Sequence, residues 1–356
     1  MASPGEHTDR TDRTDRTEHP CARSRRAAPS VLHELMYGHF HAAALRAVAV
    51  HRIADHLADG ARTPEELAAR TGTDARALRR VLRLLAVRGL FHEDERGAFV
   101  LAEAGRPLRT DAAGSQHAAA VMVTDPMLWR AAAELPGTLR SGRPSFELAH
   151  GVPFFEHLLA SPADRAVFDA GMASLSGRDD ELVAGSLAFP EGARVIDVAG
   201  GRGGLLRAVL DRGPTLRGVL FDRPATVAGH VLDGPGRAGR WRTEGGDFFT
   251  AVPSGGDFYL LKHVLHDWPD EDALRILGSV RRAAAPGARL LVVDLVLPGG
   301  GVPHPGVEMD IVMLTVAAGR ERTAAEFEGL LDRAGFRLHR ILPTPAPASV
   351  IEAVAV

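Results

Sequence analysis

The spacing of hydrophobic positions changes twice along the chain. Across 31–60 the stretch LHELMYGHFHAAALRAVAVHRIADHLADG carries apolar residues at mixed intervals of three and four, which predicts helix halted at Gly60. TPEELAARTGTDARALRRVLRLLAVRGLF follows, with Thr63 before Pro64 and Glu66. That order suits a helix capped by Thr63 with proline at its first position. Thr73 or Asp74 caps a second helix running to Arg88, and Gly89 ends it. FHEDERGAFVLAEAG then reads as a short hairpin turning around 95–97. Helix, turn, helix and hairpin give a winged-helix outline. Residues 112–185 read mostly helical, with loops at SGRPS and around Pro153. After Pro190 short apolar runs alternate with helical patterns: RVIDVA, LRGVLFD, DFYLLK and ARLLVVDLVL each precede an amphipathic or loop segment. Strands alternating with helices predict a parallel, doubly wound sheet. RLHRILP and ASVIEAVAV, joined by PTPAPA, suit an antiparallel edge.

The expected fold class is therefore α/β. A Rossmann-like doubly wound domain occupies 186–356, a mostly helical winged-helix-like domain 29–111, and a helical linker and pocket region 112–185. Residues 1–28 repeat the triplet TDR and offer nothing that can bury a core, so they are expected to be a disordered leader. At 45% apolar residues the remainder has enough material for a large core. A net charge of -3 gives no electrostatic case for nucleic acid. The arginines at 76, 79, 80, 83 and 88 of the second helix can grip phosphates, or can simply form a solvated face. No apolar run approaches the ~18 residues of a membrane span. The N-terminus lacks the apolar segment of a signal peptide, and the single cysteine, Cys21, excludes an intrachain disulfide. Both suit a reducing cytoplasm.

Chemistry concentrates in VIDVAGGRGG, 195–204. A buried strand runs into glycines that open a helix, the place where an open α/β sheet binds a ligand. A dinucleotide fingerprint needs a third glycine where Leu206 stands, which disfavours a nicotinamide or flavin. An acid at the strand end followed by spaced glycines suits a ligand with an amino-acid end, the methionine part of S-adenosylmethionine. Asp197 can order the loop amides or reach an ammonium through water. Asp222 ends the next strand, where an acid accepts bonds from ribose hydroxyls. In GGDFF, Asp247 can accept the adenine amino group and Phe248 can cover the ring. Lys262 is the sole lysine of a chain with 42 basic residues. His263 and His266 are three apart, but no further ligand cluster accompanies them, so no metal is expected. Trp129, Phe155, Met172 and their apolar neighbours are ordinary core material that can also line a pocket for a flat molecule.

From about Val31 to Val356 the chain resembles the bacterial natural-product and plant caffeate-type small-molecule O-methyltransferases. VIDVAGGRGG resembles their VDVGGGxG motif, and LFDRPATV, GDFF, LLKHVLHDWPDEDALRIL, VVDLVLP and GRERTAAEF match later motifs in order. The resemblance implies a homodimer exchanging helices over 31–57, S-adenosylmethionine as cofactor, and a small aromatic acceptor. It implies that Gly200 and Gly201 line the donor's methionine part, with Asp197 and Ser176 nearby. By the same resemblance Asp222 binds ribose, Asp247 and Phe248 hold adenine, and Lys262 lies beside the cofactor. His266 matches the general base, Asp294 and Glu321 the two acids that orient it, and Met172, Phe155, Trp129 and Met313 the acceptor pocket. Two positions depart from the pattern. Asp294 stands where plant members have Glu, so its contact with His266 is expected to be longer or absent. Ala199 stands where the motif has Gly; it costs little if φ is negative there and strains the turn or alters donor binding if φ is positive, and it reads as a tolerated variant. Carbon or nitrogen acceptors, a non-methylating enzyme on the same scaffold, and a DNA-binding regulator are the rival readings.

Overall fold

The computed structural model describes Met1 and residues 28–356. The leader expected over 1–28 lies almost wholly outside the described residues. The first helix, Ala28–Val50, is unevenly buried. Ala44, Val48 and Ala49 enter the core, whereas Val31, Leu32, Leu35, Met36, Tyr37 and Phe40 stand exposed. The expected uninterrupted helix to Gly60 breaks at Arg52, whose φ is 53°, and resumes as Ile53–His56. The left-handed residue redirects the chain so that Ile53 is fully buried.

Local signals in the next segment are realised closely. The Thr63 hydroxyl accepts from the Glu66 amide at 3.2 Å while the Glu66 carboxylate accepts from the Thr63 amide at 2.8 Å, a reciprocal cap on Pro64–Thr71. Asp74, not Thr73, caps the helix Ala75–Ala86. The wing is β1, Phe91–Glu93, paired antiparallel with β2, Phe99–Leu101. Leu67, Leu82, Leu85, Phe91 and Phe99 fill this core. Arg79 and Arg83 both turn to Glu93 on the wing, at 3.2 and 2.8 Å. Two of the arginines that suggested phosphate binding are thus engaged within the domain.

The large sheet contains β3 (Arg194–Val198), β4 (Arg217–Asp222), β5 (Trp241–Gly245), β6 (Phe258–Lys262) and β7 (Arg289–Asp294). A two-strand parallel ladder, β8 (Val296–Leu297) with β9 (Arg322–Thr323), lies beyond β7. β10 (Phe336–Pro343) and β11 (Ser349–Ala355) close the sheet, in the order β10-β11-β7-β6-β3-β4-β5. The last hairpin is antiparallel as expected, but only β10 is an edge, because β11 inserts between β10 and β7. Its burial pattern shows why: Val350 to Ala353 are all buried, which an edge strand does not need. Helices cover both faces. Asp270–Ala283 and Ala324–Arg333 pack through Ile276, Leu277, Phe327 and Leu331 on one side. Gly204–Arg212 and the end of the long helix Pro162–Ser186 pack through Leu206, Val209 and Val183 on the other.

Strand order reverses at β3, whose neighbours β4 and β6 lead the chain in opposite directions. Asp197 is in register with Leu220 and Leu260, so the carboxyl ends lie nearly flush. Asp222, Lys262 and Asp294 end β4, β6 and β7. One edge of the sheet therefore collects most of the chemistry foreseen in the sequence. Among the described residues no helix is long and apolar enough to cross a membrane.

Candidate active site

The glycine turn leaves β3 with Ala199 at φ 55°, Gly201 at 61° and Gly203 at 86°. Ala199 thus adopts the left-handed conformation that the missing glycine of the motif would favour. A side chain at Gly200 would overlap the Asp197 carboxylate, and one at Gly204 would overlap Asp180. Glycine is needed there because acids already fill the adjoining space. Asp197 is 1% exposed, and its Oδ2 has no protein hydrogen-bond partner. Burial, reinforced by the Asp180 charge and opposed by Lys262, pushes its pKa up to about 7.

Asp222 accepts from the Gly201 amide at 2.9 Å and from the Arg223 amide at 2.7 Å. Each oxygen keeps a lone pair, so ribose hydroxyls can still be bound. Asp247 is exposed, but its carboxylate turns back onto the Phe249 amide at 2.9 Å. Phe248 is half-buried against Phe249 and Trp268. Lys262 is ion-paired with Asp180, a residue the sequence presented only as one acid in the charged run RDDELV. Ser176 and Met172 precede Asp180 on the same helix at four-residue intervals. The glycine turn, the strand-end acids and the orphaned oxygen of Asp197 fit an S-adenosylmethionine molecule.

The second half of the site is the loop after β6. Arg322, fully buried, donates to the carbonyls of Leu265 at 2.7 Å and Trp268 at 2.9 Å, and to Asp270 at 2.8 Å. The short helix Leu265–Asp267 is clamped between these bonds. Gly319 presses on the same loop, where a side chain would overlap the His266 carbonyl. Arg322 was overlooked in the sequence although it stands inside the quoted ERT segment.

His266 is 7% exposed, with Nδ1 2.7 Å from Glu321 Oε1. The Glu321 amide donates to Asp310 at 2.9 Å, which fixes the acid. Asp294 Oδ1 is 3.9 Å from His266 Nδ1, too far for a hydrogen bond, as the shorter side chain led one to expect. It lies closer to His263 Nδ1, at 3.5 Å. The structure thus brings a third potential ligand to the two histidines, which sequence spacing did not reveal. Burial by itself lowers the His266 pKa, but Asp294, Glu321 and Asp267 outweigh it and raise it to about 10. Asp267 is itself pushed up to about 6, chiefly by burial.

Aromatic side chains adjoin this loop. Phe155 stacks on Trp268 with centroids 6.3 Å apart, and Phe249 meets Trp268 edge-on at 4.8 Å. Met313 is buried on the helix Pro305–Val316, which packs against Pro126–Ala133, the helix carrying Trp129. Trp129 is half-buried and makes no ring contact with this cluster among the described residues.

A doubly wound sheet with an acid-lined glycine cradle, a ribose-type acid on the next strand and a buried histidine after the fourth parallel strand of the chain defines an S-adenosylmethionine-dependent methyltransferase. The O-methyltransferase domain family matches residues 132–337, and the O-methyltransferase dimerisation domain matches 33–111. The chain belongs to the O-methyltransferase family, and S-adenosylmethionine is its methyl donor. It is 37% identical to the mitomycin biosynthesis 6-O-methyltransferase of Streptomyces lavendulae, over 94% of this chain and 97% of that protein. It is 38% identical to the 8-amino-8-demethylriboflavin N,N-dimethyltransferase of Streptomyces davaonensis, over 86% and 90%. A crystal structure of an O-methyltransferase from neocarzinostatin biosynthesis, with S-adenosylmethionine and 2-hydroxy-5-methyl naphthoic acid, aligns at a TM-score of 0.76 and 34% identity, over 88% and 96%.

The strained turn gives a direct test. Ala199→Gly removes the cost of a left-handed alanine, about 1 kcal/mol. Chemical denaturation is expected to show a stabilised protein, or calorimetry a tighter S-adenosylhomocysteine complex. Loss of both stability and affinity would mean that the Ala199 methyl contributes more by packing than its backbone costs.

Proposed function

We propose that the protein methylates a phenolic hydroxyl of a small aromatic acceptor, with His266 taking the hydroxyl proton. The observation that carries this reading is the buried His266–Glu321 contact on the loop that follows β6, the strand ending in Lys262. The aromatic cluster of Phe155, Phe249 and Trp268 beside it, and the naphthoic acid held by the related neocarzinostatin enzyme, support a flat acceptor. The donor, when bound, supplies an electrophilic methyl group carried on a positively charged sulfur. We assign its hold to Gly200, Gly201, Asp197, Asp222, Asp247, Phe248, Lys262 and Ser176, and the acceptor's to Met172, Phe155, Trp129 and Met313.

Glu321 engages Nδ1 and so fixes the ring with Nε2 turned the other way, 3.6 Å from Asp267. Nε2 is the nitrogen left to receive a proton. In the protein alone the surrounding acids keep His266 protonated at neutral pH. Positive charge arriving in the cleft opposes those acids and eases release of that proton. A neutral His266 then matches a phenol, whose own pKa is ~10. Orientation of hydroxyl and donor supplies the rest of the rate. The division into a dimerisation unit over 29–111, a pocket region over 112–185 and a donor-binding unit over 186–356 belongs to the same proposal.

The N,N-dimethyltransferase relative supports a second reading, methylation of an amine. A neutral amine already offers its lone pair and needs no base, so one variant separates the two. His266→Ala is expected to cut turnover by roughly 10²-fold or more while S-adenosylhomocysteine affinity stays unchanged by calorimetry. The wild-type rate should rise with pH and level off above the ordinary histidine value of ~6.5, because the raised pKa delays formation of the neutral base. Undiminished turnover in the variant would favour the amine.

We also propose a homodimer through the first helix. The exposed Leu32, Leu35, Met36 and Phe40 form an apolar face that one chain leaves in water. Sedimentation at micromolar concentration should show a dimer, and Leu35→Asp with Phe40→Asp a monomer. A monomeric wild type would contradict this.

A further inference from the structure

Buried polar atoms almost always find partners, so a cluster of orphans marks something the chain does not itself provide. Among the described residues five buried side-chain atoms have no hydrogen-bond partner, and four of them sit together: His263 Nδ1, both oxygens of Asp294, and Glu321 Oε2. Asp294 and Glu321 are 0% and 2% exposed, so water has little access to them. His263 contributes a second anomaly. It holds φ at 52°, uncommon for a residue with a side chain, and its ring lies against that of His266. The two imidazoles are nearly parallel, with centroids 5.4 Å apart. In the proposed proton transfer His263 has no part, and Asp294 acts on His266 only through its charge, both its oxygens remaining without a hydrogen bond.

We propose that His263, His266 and Asp294 form a binding site for one divalent cation of the zinc class, and that the metal-bound enzyme is inactive. The three donor atoms lie within 4.8 Å of one another, with Asp294 Oδ1 3.5 Å from His263 Nδ1 and 3.9 Å from His266 Nδ1. Ligand atoms around a tetrahedral zinc stand about 3.4 Å apart, given metal–ligand bonds of about 2.1 Å. Rotations that close the triangle by about an ångström therefore suffice. Glu321 Oε1, 2.7 Å from the same nitrogen of His266, is within reach as a fourth donor. Two imidazoles and one or two carboxylates suit zinc, cobalt or nickel, whereas magnesium favours an all-oxygen shell. Charge favours the occupant as well, since Asp294, Glu321 and Asp267 surround the histidines and no arginine or lysine bonds to Asp294 or to the Glu321 carboxylate among the described residues. The metal takes the nitrogen through which Glu321 holds the ring, so the proton-accepting geometry of His266 is lost. The inhibitory consequence rests on His266 serving the transfer reaction; the binding itself does not.

The test uses the full chain carrying Cys21→Ser, which removes the one thiolate that would also take cobalt, after dialysis against a chelator. Cobalt(II) is titrated in, and the visible absorption of a four-coordinate site is followed. One equivalent should develop these bands, zinc should abolish them, and magnesium should not. The bands should be absent in His263→Asn, chosen because asparagine tolerates positive φ, and in Asp294→Asn should the first variant fail to fold. In methyl-transfer assays zinc should inhibit the Cys21→Ser protein reversibly, with recovery on adding chelator, and His263→Asn should need at least 10-fold more zinc. Absence of cobalt bands in the parent, or bands and zinc sensitivity unchanged in His263→Asn, would overturn the site. Normal cobalt binding without inhibition would leave the site standing and overturn its inhibitory role together with the assignment of His266 as base.

Discussion

The guanidinium of Arg322 is the interaction on which the site depends. It has no solvent exposure and reaches two backbone carbonyls on either side of His266 and the carboxylate of Asp270. Burial opposes ionisation of Asp270, but Arg322 and Arg320 hold its carboxyl below the usual range. Asp270 is itself partly open to solvent, so the pair is half-screened and the clamp rests chiefly on the buried bonds from Arg322 to the two carbonyls. The loop cannot drift from its place without breaking these bonds. His266, on that loop, is consequently held against Glu321, the residue immediately before Arg322, with which the short ladder begins. One dipeptide, Glu321-Arg322, therefore fixes both the backbone and the ring of the proposed base.

The electrostatics of the two halves of the site have the same sign. Around the glycine turn, Asp197, Asp180 and Asp222 crowd together, and Lys262 pairs with Asp180. Around His266 three acids surround an imidazole. Both halves carry an excess of buried negative charge, and both favour a cationic guest. In the first, the proposed guest is the donor's ammonium and sulfonium end. In the second, the excess is balanced in the protein alone by the proton on His266.

Much of this was readable from the chain because local signals agree with the global fold. Thr63 and Asp74 cap where their spacing indicated, and the strand ends that carry Asp197, Asp222, Lys262 and Asp294 fall where apolar runs stop. In the glycine turn the departure at 199 was legible, but alanine there read as a tolerated variant, and only the fold shows its positive φ. What escaped is long-range. Asp180 belongs to a charged helical run that looks solvated, and only the folded chain brings it across 82 residues to Lys262. Arg322 reads as one of many arginines until its burial is known. The break at Arg52 and the insertion of β11 likewise depend on tertiary packing, which periodicity does not encode.

The central claim is that carboxylates held by the fold make His266 a strong proton holder rather than an ordinary histidine. Nuclear magnetic resonance of the labelled imidazole across a pH titration of the donor-free protein tests it most directly. The account predicts that the His266 ring titrates well above 6.5, toward about 10, and that Glu321→Gln brings the value down. A ring that titrates at or below 6.5, indifferent to Glu321, would contradict it.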